Sequence, residues 1–239
     1  MKKQFNSSRD ASVLVASLLA IISGGSAMAA SQDSANSALA RIRPYLMANR
    51  AQEVSLARSA APPSISMHAT VMVLGTKGYV VAVKGSNGFV CLDVRSWDNT
   101  VTVKSTDFWN PKFRAPYCWN AAGARSVLPR YLKRTEWVLA GASEAEIGDR
   151  EKSAGTQGRL APPASGVICY MMSKRGHWIG NQPGPWRPHV MFYFPRAQTP
   201  NWGANLGGAP VFSGVNENLA VLMVLVPVWS DGSPAPSFR

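Results

Sequence analysis

Few residues in this chain are equipped for chemistry, and they are widely spaced. There are three histidines, His68, His177 and His189, and three cysteines, Cys91, Cys118 and Cys169. His177 and His189 bracket a segment that also holds Trp178, Trp186 and Arg187. Two imidazoles, two indoles and a guanidinium could stack on a planar or sugar-like ligand and hydrogen-bond its rim. Trp109 and Trp119, in an aromatic-rich stretch over 96–122, would extend that surface. The expected ligand-binding set is Trp109, Trp119, His177, Trp178, Trp186 and His189. A simpler account competes with it. Trp and Pro can close a groove over the core, and the ring of a strand-opening His189 can bond a backbone carbonyl.

A nucleophilic alternative pairs Cys169 with His177 or His189 as base, for acyl transfer in a hydrolase or transferase. The apolar setting Gly166-Val-Ile-Cys-Tyr-Met-Met172 argues against it, because apolar burial raises a thiol's pKa. A metal site would need all three histidines, or histidine with Asp93 or Asp107, and no ligand spacing supports one. Met171, Met172 and Met191 read as packing. The phosphate-binding, dinucleotide, zinc-protease, nucleophile-elbow and C-x-x-C motifs are all missing. No catalytic residue, metal or cofactor is assigned.

The first residues read as an address. Lys2, Lys3 and Arg9 precede the apolar run Val13–Ile22, and Ala27-Met28-Ala29 supplies the small residues of a cleavage site. This is the pattern of a secretory signal peptide, 1–29, cut before Ala30. The run is about half of what spans a bilayer. The best later candidate, Leu219–Val228, contains Pro227 and reads as a strand, so no membrane span is expected in the mature chain. The product is expected in a periplasm or outside the cell. An oxidising compartment favours one disulfide and one leftover thiol. Of the three pairings, Cys91–Cys118 is preferred, tying the aromatic loop to a strand.

Composition narrows the class further. The chain has 239 residues, 46% hydrophobic and 16% charged, which excludes a disordered chain. The 25 Lys and Arg against 13 Asp and Glu give +12, and the expected mature chain keeps 22 against 12, or +10. The partner this suggests is an anionic cell-envelope polymer, with a small ligand as the other candidate. The densest clusters are Arg130, Lys133, Arg134 and the pair Lys174, Arg175. No nucleic-acid module accompanies them, which argues against that partner.

The elements that must position these residues follow from periodicity and turn signals. A loose leader covers 30–38, and Pro44 to about Ala60 reads as a helix. Strands are expected over Met67–Leu74, Tyr79–Lys84 and Phe89–Arg95, joined by Gly-bounded turns as an antiparallel meander. Residues 96–122 read as a loop. A helix over about 123–140 breaks or restarts at Pro129, and Ser143 with Glu146 forms a capping box for a helix from Glu144. Strands return over Val167–Ser173, His189–Phe194 and Leu219–Trp229, separated by Gly/Pro-rich loops over 179–188 and 196–214. The expectation is a single α+β domain over 30–239, with an antiparallel sheet of about six strands and helices packed on one face.

Three stretches carry a resemblance as a set: Gly78-Tyr-Val-Val-Ala-Val-Lys-Gly-Ser-Asn-Gly-Phe-Val-Cys-Leu92, Phe108-Trp-Asn-Pro-Lys-Phe-Arg-Ala-Pro-Tyr-Cys118 and Pro188-His-Val-Met-Phe-Tyr-Phe-Pro195. Together they resemble a group of exported bacterial proteins with no assigned function. The resemblance implies a bacterial, exported, single-domain protein and brings no activity, cofactor or site.

From these elements and charges the functional expectation is an exported, basic, non-enzymatic binding protein for a small or envelope-derived ligand, using the aromatic/His loops. The alternatives are the Cys/His enzyme and an envelope-associated protein held by charge.

Overall fold

The computed structural model describes residues 36–98, 107–177, 186–214 and 217–236. The expected signal peptide, 1–29, and most of the leader lie outside the described residues, as does Trp178. Ala38–Arg239 forms one compact unit.

The chain mixes helices with one eight-stranded sheet. After helical turns over 36–42 (α1) and a 3₁₀ turn at Arg43–Tyr45, α2 runs over Arg50–Arg58. The expected helix from Pro44 thus divides, because the Asn49 side chain caps α2 by accepting from the backbone N–H of Ala51 and Gln52. A helical turn at Pro63–Ser66 (α3) follows. The first strands are β1 (Thr70–Gly75), β2 (Gly78–Val83), β3 (Val90–Val94) and β4 (Ala115–Trp119). Next come α4 (Ala121–Ser126), α5 (Leu128–Leu139) and α6 (Glu144–Thr156). Strands β5 (Val167–Met171), β6 (His189–Pro195), β7 (Val211–Phe212) and β8 (Leu219–Leu225) complete the sheet. Pro129 sits in the first turn of α5, so the expected break is a restart. The Ser143/Glu146 capping box is formed.

The sheet order is β2-β1-β3-β4-β5-β6-β8-β7. Three parts of the expectation need correction. There are eight strands, not six: β4 and β7 lie in stretches that read as loops. The sheet is not wholly antiparallel either, since β1 and β3 pair in parallel, Thr70 with Val90 and Val71 with Cys91. The cause is the short connection after β2, which crosses the start of β1 instead of folding back beside β2. Gly85 N–H donates to Thr70 Oγ1, and the N–H groups of Ser86 and Asn87 both donate to the His68 carbonyl. A Cβ on Gly85 would lie 2.2 Å from backbone atoms of Ala69 and Thr70. Only glycine permits that crossing.

The third correction concerns the helices, which cover both faces. Successive strand residues point to opposite sides. Leu92, Val94, Tyr117 and Trp119 pack against Val127, Leu128 and Tyr131 of the α4–α5 region. Cys91, Cys118 and Val71 pack instead against Ala57 of α2 and Ala60 just beyond it. With both faces covered, β3 and β4 are buried almost throughout and show no alternation of burial.

Candidate functional site

Cys91 and Cys118 are directly opposite in the β3–β4 register and form a disulfide. The pairing is as expected, but the bridge joins neighbouring strands rather than pinning a loop. Cys169 belongs to the other side of the sheet, in the core with Trp119 and Met191. It is fully buried, its Sγ contacts the Tyr170 carbonyl at 3.7 Å, and burial pushes its thiol well above the ordinary range. It therefore carries no appreciable thiolate near neutrality.

The described aromatic and histidine candidates do not share one surface. Trp119 is fully buried against Tyr117 and Tyr131. His189 is buried in β6, with its Nδ1 at 2.6 Å from the Arg187 carbonyl. That contact makes Nδ1 the protonated nitrogen, and Nε2 has no hydrogen-bond partner among the described residues. Burial lowers its pKa to about 4, so the ring is neutral at neutral pH. Trp186 stands beside it, ring centroids 6.1 Å apart, and packs on the core. Arg187 and Pro188, with residues of 225–227 and 235–236, line a cavity of about 80 Å³, room for a few waters. His177 is exposed and its backbone bridges to Arg114. Trp109 is 44% exposed, and its carbonyl accepts from the Tyr45 hydroxyl at 2.7 Å. Trp109 and His177 remain as surface candidates, and Trp186 and His189 form a separate internal pair.

The structure organises charge more than aromatic rings. Two networks of carboxylates and arginines are buried. On the α2 side, Arg95 reaches Glu53 of α2 at 2.6 Å and Asp93 at 2.5 Å, while Arg114 lies 3.4 Å from Asp93. Glu53 also accepts from the Leu74 N–H at 3.0 Å, which fixes α2 to β1. Desolvation raises the Asp93 pKa to about 6, against the pull of Arg95 and Arg114.

On the α5 side, Arg130 and Arg134 share Glu151 of α6, and Arg134 also meets Glu217 at 2.5 Å. Arg134 Nη1 donates to the Asp98 carbonyl at 2.7 Å. Among the described residues, the Asp98 carboxyl has no hydrogen-bond partner on either oxygen. Burial raises its pKa to about 8, so it is held as the neutral acid at pH 7. Arg130 and Arg134, which read as part of an exposed basic cluster, are interior residues.

This burial redistributes the surface charge. Of twenty described Lys and Arg, Arg95, Arg130 and Arg134 are buried, leaving seventeen outside the interior. Of eleven described Asp and Glu, Glu53, Asp93, Asp98, Glu151 and Glu217 are buried, leaving six. Four of those six, Glu136, Glu144, Glu146 and Asp149, lie at the end of α5 and on α6. On and around α2 the cations Arg43, Arg50, Arg58, Arg114, Lys174 and Arg175 gather. Arg114 donates to the Tyr45 carbonyl, Arg50 to that of Val81 and Arg175 to that of Ser55. Asp231 pairs with Lys174 at 3.1 Å, and half-buried Asp107 lies near Trp109.

The sequence carries a signal for the α5 network. Arg130 and Arg134 are spaced i,i+4 and flank Tyr131 on the apolar face of the helix, so they turn inward. Their partners Glu151 and Glu217 lie far along the chain.

Among the described residues, no group of three His, Cys, Asp or Glu side chains could hold a metal ion, and no helix is long and apolar enough to cross a membrane. No protein-family model, curated protein or solved structure matches the chain.

Proposed function

We propose that this is an exported binding protein, cleaved before Ala30, that holds an anionic component of the cell envelope on the α2 side of its sheet. The observation that carries the reading is the partition of charge: seventeen unburied cations face six unburied carboxylates, and most of those carboxylates lie on α5 and α6. The disulfide fits an oxidising compartment. The site works by attraction and contact. The buried networks fix the elements, and the arginines above them stay charged at any physiological pH. Catalysis by Cys169 has no support in its buried, protonated state.

Titration with dextran sulfate at rising salt tests the proposal. Affinity should fall steeply and log-linearly with salt. Arg43→Gln with Arg50→Gln should weaken binding, while Lys133→Gln with Lys152→Gln, on α5 and α6, should leave it nearly unchanged. Salt-insensitive binding, or equal losses in both pairs, overturns the reading.

A further inference from the structure

Beside α2, the same side of the sheet carries no helix among the described residues. The strand register makes this visible. One row of directly paired residues runs Val71, Cys91, Cys118, Tyr170, Val190, Val224 across six strands. A second runs Ile168, Phe192, Leu222 across β5, β6 and β8. Directly paired residues point to the same side. Helix α2 packs chiefly on β1, β3 and β4, and Tyr170 of β5 reaches only the edge of that cluster. Beyond Cys118 the row becomes half-buried, and it ends at Val224, 41% exposed. Phe194 on the same face carries the ring of Trp202, itself 42% exposed, and the loop holding Trp202 also presents Leu206 at 67%. Among the described residues no helix lies over this face.

Its neighbours are cationic. The end of β5 is tied to the end of α2, since Ser59 and Ser173 hydroxyls meet at 2.6 Å and the Met172 N–H donates to the Ala60 carbonyl. That junction brings Arg58, Lys174 and Arg175 beside the Tyr170–Val190–Val224 row, and exposed Arg187 precedes β6. An open apolar face with an exposed indole, rimmed by cations, is suited to an interface that is itself apolar inside and anionic at its edge. A second copy of this chain would match the apolar face but bring the same cations against themselves.

We propose that the uncovered β5–β6–β8 face, with Trp202 and Leu206, seats this protein on an anionic lipid bilayer. This rests on the reading of an anionic envelope partner and names that partner as a membrane surface. The cations of the α2 side meet the headgroups, while the apolar row and Trp202 enter the interfacial layer.

The test is cosedimentation with vesicles of phosphatidylcholine containing phosphatidylglycerol, against pure phosphatidylcholine, with dextran sulfate titrated in parallel. Val224→Lys is the informative variant, because it adds positive charge while removing apolar contact. The proposal expects it to weaken vesicle binding by about tenfold or more, with dextran sulfate affinity unchanged or slightly raised. Leu206→Ser with Trp202→Ala should weaken vesicle binding without moving the thermal midpoint, which guards against a folding defect. Val224→Lys binding anionic vesicles as tightly as wild type, or more tightly, overturns the proposal and leaves the charge reading standing. Loss of dextran sulfate and vesicle binding alike in wild type overturns both. A dimer that dissociates in Val224→Lys, with no wild-type binding to vesicles, assigns the face to a second copy and overturns the lipid assignment.

Discussion

Replacing Asp98 by Asn should stabilise the protein, by an amount that grows with pH. In the folded chain its carboxyl is buried and held protonated, with a pKa of about 8 against an ordinary value of 3.8. The folded state therefore keeps a proton that the unfolded state releases above pH 4. Stability contributed at this position falls as pH rises between about 4 and about 8, at about 1.4 kcal/mol per pH unit. Over that window the cost reaches roughly 5 kcal/mol. Asn keeps the volume and cannot ionise. Urea unfolding of both proteins should give similar midpoints at pH 4 and an increasing advantage for Asp98→Asn up to pH 9. The nearby charges are Arg134, Arg95 and Glu151, and none of these arginines titrates in the window. His189 contributes with the opposite sign. With its pKa lowered to about 4, stability is lost as pH falls from about 6.5 towards 4. The two windows overlap, so the effects offset each other between about pH 4 and 6.5, and the net loss of wild-type stability falls between about 6.5 and 8. A constant difference between wild type and Asp98→Asn from pH 4 to 9 would refute the reasoning.

Two further outcomes concern the fold. Gly85→Ala should cost roughly 3 kcal/mol or more, because the added Cβ meets the backbone of Ala69 and Thr70 at 2.2 Å; a thermal midpoint near wild type would mean the crossing can shift. Removing the bridge with Cys91→Ala and Cys118→Ala opens a link spanning 27 residues, a loss of roughly 3–4 kcal/mol by loop closure. Alkylation of the native protein should spare Cys169 and modify it only after unfolding, as intact mass will report.

Much of the sheet was legible because six strands combine β-branched residues with Gly-bounded turns. Strand β4 was hidden twice over. Pro116 sits in its middle, and burial on both faces erases the alternation that marks a strand. Pro116 is tolerated because the β4–β5 register begins only at Cys118. Strand β7 is two residues long, too short for any pattern. The parallel pairing could not be read from turn chemistry, since Gly85 serves a long-range crossing rather than a hairpin. The disulfide was legible through elimination and compartment, for a partly different reason than the geometry gives. The site was less legible. Trp119 and His189 are amphipathic side chains whose burial depends on the strand register, and the pairing of Arg134 with Glu217 spans 83 residues.

The disulfide joins the first two cysteines to appear along the chain and leaves the third on the far side of the sheet. A chain that enters an oxidising compartment amino end first presents Cys91 and Cys118 before Cys169 emerges. Under the proposed export, vectorial oxidation would yield the native bond directly, with no shuffling to correct it. Once the sheet has closed, Cys169 faces away from the bond and cannot attack it. In the folded chain the sheet itself is the partition that protects the connectivity.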